Sequence, residues 1–137
     1  MPTDGANTLF ETKPSVLVSR CWTGEPCRYH GRPSPRPSLI ERLGRRYRLV
    51  FVCPEILGGL PVPRPPAPLR RRRGKVLTDC NGQDVSAQYK AGARKVLEIA
   101  KREGCERAYL VKGSPACDRK GFAGELLQQN NIRVINY

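Results

Sequence analysis

The chain has no long hydrophobic run. Its longest purely apolar stretch is the five residues from Leu49 to Cys53, far short of the ~20 that a membrane-spanning helix needs. The start of the chain lacks the basic-then-apolar pattern of an export signal. Residues 1–14 are polar and carry two acids, Asp4 and Glu11, so neither a signal nor a transit peptide is expected there. Acidic residues are scarce, with 12 Asp and Glu against 25 Lys and Arg. The resulting net charge of +13 excludes a polyanionic surface and points to anionic partners such as nucleotides, RNA or phosphates. There is no internal repeat. No CxxC pair occurs among the six cysteines, so spacing alone leaves open whether these thiols bind metal or pack as small apolar groups. Histidine and tryptophan occur once each, as His30 and Trp22.

What is present suits one domain. A chain of 137 residues, 39% of them hydrophobic, can bury a core but has no room for a second one. Residues 1–14 read as a flexible arm and residues 15–137 as a single domain. Six cysteines with no export signal suit metal-binding or catalytic thiols better than a disulfide framework, and they place the protein in the cytoplasm.

The hydrophobic pattern alternates between two periods. Ser15–Ser19 is a short β-branched run and reads as a buried strand. The loop after it holds Gly24, Pro26, Gly31, Pro33, Pro35 and Pro37. Ser38 and Glu41 have the spacing of a capping box, predicting a short helix that ends at Gly44. Residues 47–53 form a second strand candidate that Pro54 terminates. Residues 55–74 read as a long irregular loop rich in Pro, Gly and then Arg. Asp84 precedes a helix in which Val85, Tyr89, Ala93, Val96 and Ala100 share one stripe, with Gly104 at its stop. Residues 107–111 form a third strand, residues 120–130 a short helix with Phe122, Leu126 and Leu127 inward, and residues 132–135 a fourth strand. This order implies an α/β fold with a Rossmann-like parallel sheet of about four strands flanked by helices.

In such a sheet, ligands bind beyond the carboxyl ends of the strands. Cys21, Cys53 and Cys117 each lie at or just past such an end and can converge at one rim. Cys27, Cys80 and Cys105 do not fit that pattern and read as packing residues. Three converging thiolates suit a soft metal or an iron–sulfur cluster with one position left open.

Three segments carry a specific resemblance. They are Val18-Ser19-Arg20-Cys21-Trp22-Thr23-Gly24 continuing to Cys27-Arg28-Tyr29-His30-Gly31, then Val52-Cys53-Pro54-Glu55-Ile56-Leu57-Gly58-Gly59-Leu60-Pro61 with Pro63-Arg64-Pro65-Pro66-Ala67, and Lys112-Gly113-Ser114-Pro115-Ala116-Cys117. The chain resembles the thiouracil desulfidase family of small bacterial proteins over roughly residue 15 to its end. The resemblance implies a [4Fe–4S] cluster held by Cys21, Cys53 and Cys117 with one open iron. It implies removal of sulfur from a thiolated pyrimidine base, nucleoside or nucleotide, giving the oxo base and sulfide without net redox. It places the acid–base pair at Glu55 and Ser114. Arg20, His30, Pro68, Ala116 and Asp118 depart from the usual family residues, and the loop after Cys117 is short.

Other residues carry two readings each. Glu55 is placed to activate water, and also to cap its segment or pair with Arg64. Ser114 is placed to meet a substrate, and also to bond its own turn. Arg28 and Arg64 lie inside the ligand-bearing motifs and are candidates for substrate contact. Trp22 is either core or a stacking platform for a pyrimidine. His30 reads as a surface side chain. Arg70, Arg71, Arg72, Arg73 and Lys75 form a basic run that is either a solvated loop or a contact for the phosphates of a nucleotide or tRNA. Two further functions stay open at this level: an RNA-binding module with a structural metal site, and a cluster-dependent sulfur transferase. A closed structural zinc site would require four ligands.

Overall fold

The computed structural model describes residues 13–137. In chain order the elements are β1 (Ser15–Ser19), α1 (Pro37–Arg46), β2 (Arg48–Val52), α2 (Pro54–Leu57), β3 (Arg72–Arg73), β4 (Val76–Leu77), α3 (Ser86–Glu103), β5 (Arg107–Leu110), α4 (Phe122–Gln129) and β6 (Arg133–Asn136). Two single 3₁₀ turns, Arg20–Thr23 and Leu69–Arg71, follow β1 and precede β3. The expected arm at residues 1–14 lies outside the described residues except for Lys13 and Pro14.

The sheet is parallel and ordered β2-β1-β5-β6. β1 sits in its interior, with Ser15 to Ser19 paired to Arg48 to Val52 on one side and Leu17 and Val18 paired to Ala108 and Tyr109 on the other. That position explains its composition. A strand covered on both faces has no solvent side, so Val16, Leu17 and Val18 are all buried. The chain runs outward from β1 to β2, then returns past β1 to β5. The reversal lies between β1 and β5, which in an open sheet opens a crevice at the carboxyl edge. β3 and β4 form a separate two-stranded antiparallel ribbon.

The helices correct several expectations. α1 begins at Pro37, and the capping box at Ser38 is not formed. Proline presets the first helical φ and has no N–H to satisfy, so the turn starts without a side-chain cap. Glu41 instead pairs with Arg45 one turn on, at 2.7 Å, and the helix continues through Gly44 to Arg46. Pro54 ends β2 but opens α2, so the segment after Cys53 is not irregular. The 55–74 region also holds a 3₁₀ turn and β3. α3 starts at Ser86, whose N–H is accepted by the Asp84 carboxylate at 2.9 Å. It ends at Gly104, whose φ of +69° is left-handed backbone that glycine adopts without strain.

α2 and α3 touch backbone to backbone. A Cβ added at Gly92 would lie 1.9 Å from the Pro54 carbonyl oxygen, and one added at Gly58 would lie 2.0 Å from that of Gln88. Both distances are far inside van der Waals contact, so only glycine permits this approach.

Candidate functional site

Three strand ends supply the centre of the site. Cys21 lies in the 3₁₀ turn that follows β1, Cys53 stands between β2 and α2, and Cys117 lies beyond β5 in the turn before α4. All three are buried, at 6–8% exposure, and all line one cleft of about 190 Å³. The parallel register brings them together although they are far apart in sequence. Glu55, Ser114 and Arg28 line the same cleft, as do Ser19, Tyr29, Val111 and the Pro66–Pro68 segment.

Cys27 is a fourth thiol in this cleft, a position that strand-end reasoning did not assign. Its backbone carbonyl accepts the Cys53 thiol at 3.9 Å. The loop between Gly24 and Gly31 folds back over the sheet rim and carries it in. A six-residue spacing from Cys21 matches no standard metal pair, so its sequence signal was weak. Cys80 is exposed and Cys105 is buried before β5, away from the cleft. All six thiols are free.

The thiols share a low-dielectric site. The contact with Cys27, followed by burial, pushes the Cys53 thiol up from its ordinary value. Burial raises Cys117, with the Glu55 charge and Cys53 adding to it. Cys27 is pushed up to about 11, first by the neighbouring Cys21 thiol. Such thiols keep their protons at neutral pH until a cationic group binds and displaces them. Among the described residues no three Cys, His, Asp or Glu side chains close on a point small enough for a single metal ion. The cleft's donor set is thiol sulfur, the soft donor that an iron–sulfur cluster takes.

The Cys117 turn is fixed from two directions. The Ser114 hydroxyl oxygen accepts the N–H of Ala116 and of Cys117, both at 3.1 Å. The Asn136 side-chain amide donates to the carbonyls of Cys117, Leu110 and Val111 at 3.1–3.4 Å. Ser114 is therefore a turn-forming hydroxyl and also a cleft-lining one. With its oxygen occupied as acceptor, its O–H proton remains to be given.

Glu55, at the first turn of α2, is held at both oxygens. Oε1 meets Arg64 Nη2 at 2.9 Å, and Oε2 accepts the Tyr89 O–H at 2.5 Å. Arg64 also donates to the Cys27 carbonyl at 3.2 Å and the Pro61 carbonyl at 3.1 Å. Its side chain is only 3% exposed and is not among the residues that line the cleft.

Of its two readings, Trp22 takes the core position. It is 2% exposed, edge-on to Tyr137 at 6.3 Å, with the Arg36 guanidinium over its ring at 5.4 Å. The aromatic ring at the cleft is that of Tyr29, 41% exposed. His30 is outside the cleft lining and accepts the Arg32 N–H at its Nδ1.

The basic run is split by the ribbon. Arg72 turns inward, pairing with Glu125 at 2.6 Å, donating to the Lys120 carbonyl and covering the Phe122 ring at 4.1 Å. Arg70, Arg71 and Arg73 line a shallow groove with Thr78, and Lys75 is exposed.

The chain is similar to proteins already described. A solved structure described as a [4Fe-4S]-dependent thiouracil desulfidase, TudS, superposes with a TM-score of 0.81 at 32% identity, covering 90% of this chain and 91% of that one. The uncharacterized protein YbbK of Bacillus subtilis (strain 168) is 32% identical over 144 residues, spanning 88% of this chain and 94% of its own length. The profile of the 2-thiouracil desulfurases matches residues 16–136. With that span covering nearly the whole described chain, the protein belongs to the 2-thiouracil desulfurase family.

Proposed function

We propose that residues 15–137 form a desulfidase unit that replaces the sulfur of a thiolated uracil with oxygen, through the side chains gathered at one cleft. The protein is an iron–sulfur-dependent thiouracil desulfidase. The observation that carries the site assignment is the meeting of three buried thiols from three parallel strand ends with Glu55 and Ser114.

Cys21, Cys53 and Cys117 would hold the [4Fe–4S] cluster. When bound there, the cluster supplies a thiophilic Lewis acid that polarises a C=S bond more readily than C=O. The remaining work belongs to the chain. Glu55, held at a fixed angle, accepts a proton from the water that attacks the ring carbon. Ser114 gives its O–H to a ring nitrogen or carbonyl of the substrate. Tyr29 offers a face on which the pyrimidine stacks, worth ~1–3 kcal/mol. Arg28 adds a cation at the cleft wall. One water enters, one sulfide leaves, and no electrons are exchanged overall.

The charge distribution supports a substrate that carries phosphate. Arg70, Arg71, Arg73 and Lys75 lie on the segment that continues from the cleft-lining Pro66–Pro68, and in this reading they would meet phosphates of a nucleotide or tRNA. No described helix is long and apolar enough to cross a membrane. Six free thiols suit the reducing conditions of the cytoplasm.

The test is anaerobic turnover of 2-thiouracil and 4-thiouridine monophosphate by the iron-loaded protein, followed by loss of thione absorbance. Turnover with sulfide release is expected for the wild type, and Glu55→Ala should lose it while keeping its iron. Undiminished turnover by Glu55→Ala would remove Glu55 from the mechanism.

A further inference from the structure

We propose that Tyr89 is a positioning residue that sets the angle of the Glu55 carboxylate. This rests on the reading of Glu55 as the proton acceptor. The structure gives Glu55 two anchors of different kinds. Arg64 holds Oε1 at 2.9 Å, and the Tyr89 hydroxyl donates to Oε2 at 2.5 Å. One anchor alone fixes an oxygen but leaves the carboxylate free to turn about its last bond. Two anchors on two oxygens fix its plane, and with it the lone pair that faces the cleft.

The reach of Tyr89 is built into the packing of two helices. Tyr89 lies one turn before Gly92 on α3, and Glu55 directly follows Pro54 on α2. The Gly92–Pro54 and Gly58–Gln88 approaches bring the two backbones into contact. Side chains at either glycine would drive the helices apart and lengthen the Tyr89–Glu55 bond. The ring of Tyr89 is buried at 3% exposure and rests on Phe122 at 5.9 Å, whose ring is in turn covered by Arg72 at 4.1 Å. The hydroxyl therefore has one direction in which to point. Arg72, at the centre of the basic run, buttresses this arrangement instead of facing solvent.

A proton acceptor misplaced by about an ångström can lose of the order of a hundredfold in rate. The experiment compares wild type, Tyr89→Phe, Glu55→Gln and the double variant as iron-loaded proteins, reading kcat, KM, iron content and the Kd for uracil. Tyr89→Phe keeps the ring and removes only the hydroxyl. The expected result is a kcat lower by about ten- to a hundredfold, with KM, uracil affinity and iron content within twofold of wild type. In the Glu55→Gln background the same change should cost less than twofold. A kcat within twofold of wild type for Tyr89→Phe overturns the proposal. So does an equal loss in both backgrounds, because Tyr89 would then act independently of Glu55. Full activity of Glu55→Gln is a separate outcome that overturns the proton-acceptor reading and this inference with it.

Discussion

The Arg64 guanidinium and the Glu55 carboxylate form an ion pair of 2.9 Å in the wall behind the cleft, and the same nitrogen reaches the Cys27 carbonyl at 3.2 Å. One buried cation thus ties the acid of the site to the loop that delivers a thiol to it. Removing one partner of a buried pair leaves the other charge without compensation, at a cost of ~3–5 kcal/mol. Arg64→Ala should lose stability on that scale in urea unfolding of the cluster-free protein. A loss below 1 kcal/mol would mean that the pair is as weak as a surface one.

Trp22 and Tyr29 should separate cleanly. Trp22→Ala empties a core position and should destabilise the fold by ~3–5 kcal/mol, leaving the KM of properly folded enzyme unchanged. Tyr29→Ala should leave stability within ~0.5 kcal/mol and raise KM for a thiopyrimidine by several-fold or more, the scale of one lost stacking contact. Steady-state kinetics beside thermal melts decide between the two rings.

The contact between α2 and α3 has no slack. Gly92→Ala forces a methyl against the Pro54 carbonyl and should cost ~1–3 kcal/mol by overpacking. At Gly74, where no atom lies within 4 Å, Ala would meet no steric wall and would be strained only by the φ of +62°. Denaturant midpoints of Gly92→Ala against wild type read the difference.

The arginine run should divide by function. Replacing Arg70, Arg71 and Arg73 together by Ser should weaken binding of thiouridine monophosphate and flatten its salt dependence, with binding of the free base unaffected. Arg72→Ser should instead lower stability, since it breaks the Glu125 pair and uncovers Phe122. Titrations at two salt concentrations, with a melt for each variant, test the division.

Cys105 carries a pH signature. Burial pushes its thiol up to about 11 from an ordinary value near 9.0. The folded state then binds a proton that the unfolded chain has released. The contribution to stability is complete below about pH 9 and is lost as pH rises toward 11. Cys105→Ala should show a shallower decline over that window than wild type in equilibrium unfolding.

Much of this was legible in the sequence. β1 has the continuous β-branched run of a strand buried on both faces, and α3 has a clean stripe with a glycine stop. Alternation of strands and helices then fixed which chain ends share a rim, so Cys21, Cys53 and Cys117 could be grouped before any coordinates. Other features depend on long-range contact and leave no local trace. The Tyr89 hydroxyl meets Glu55 only because two helices touch at glycines. Arg64 and Trp22 carry the composition of binding residues, yet tertiary packing buries both. Arg72 sits in a run that reads as solvated, and one short ribbon turns it inward. Pro54 signalled the end of β2, but the helix it opens is a single turn and too short for periodicity to reveal.

The most direct test of the central claim is iron and acid-labile sulfide per chain after anaerobic reconstitution, for wild type and for Cys21→Ser, Cys53→Ser, Cys117→Ser and Cys80→Ser. Wild type and Cys80→Ser should carry a cubane's content of about four of each. Each of the three variants at the strand ends should show a severe loss. A full complement of iron and sulfide in any one of those three would contradict that claim.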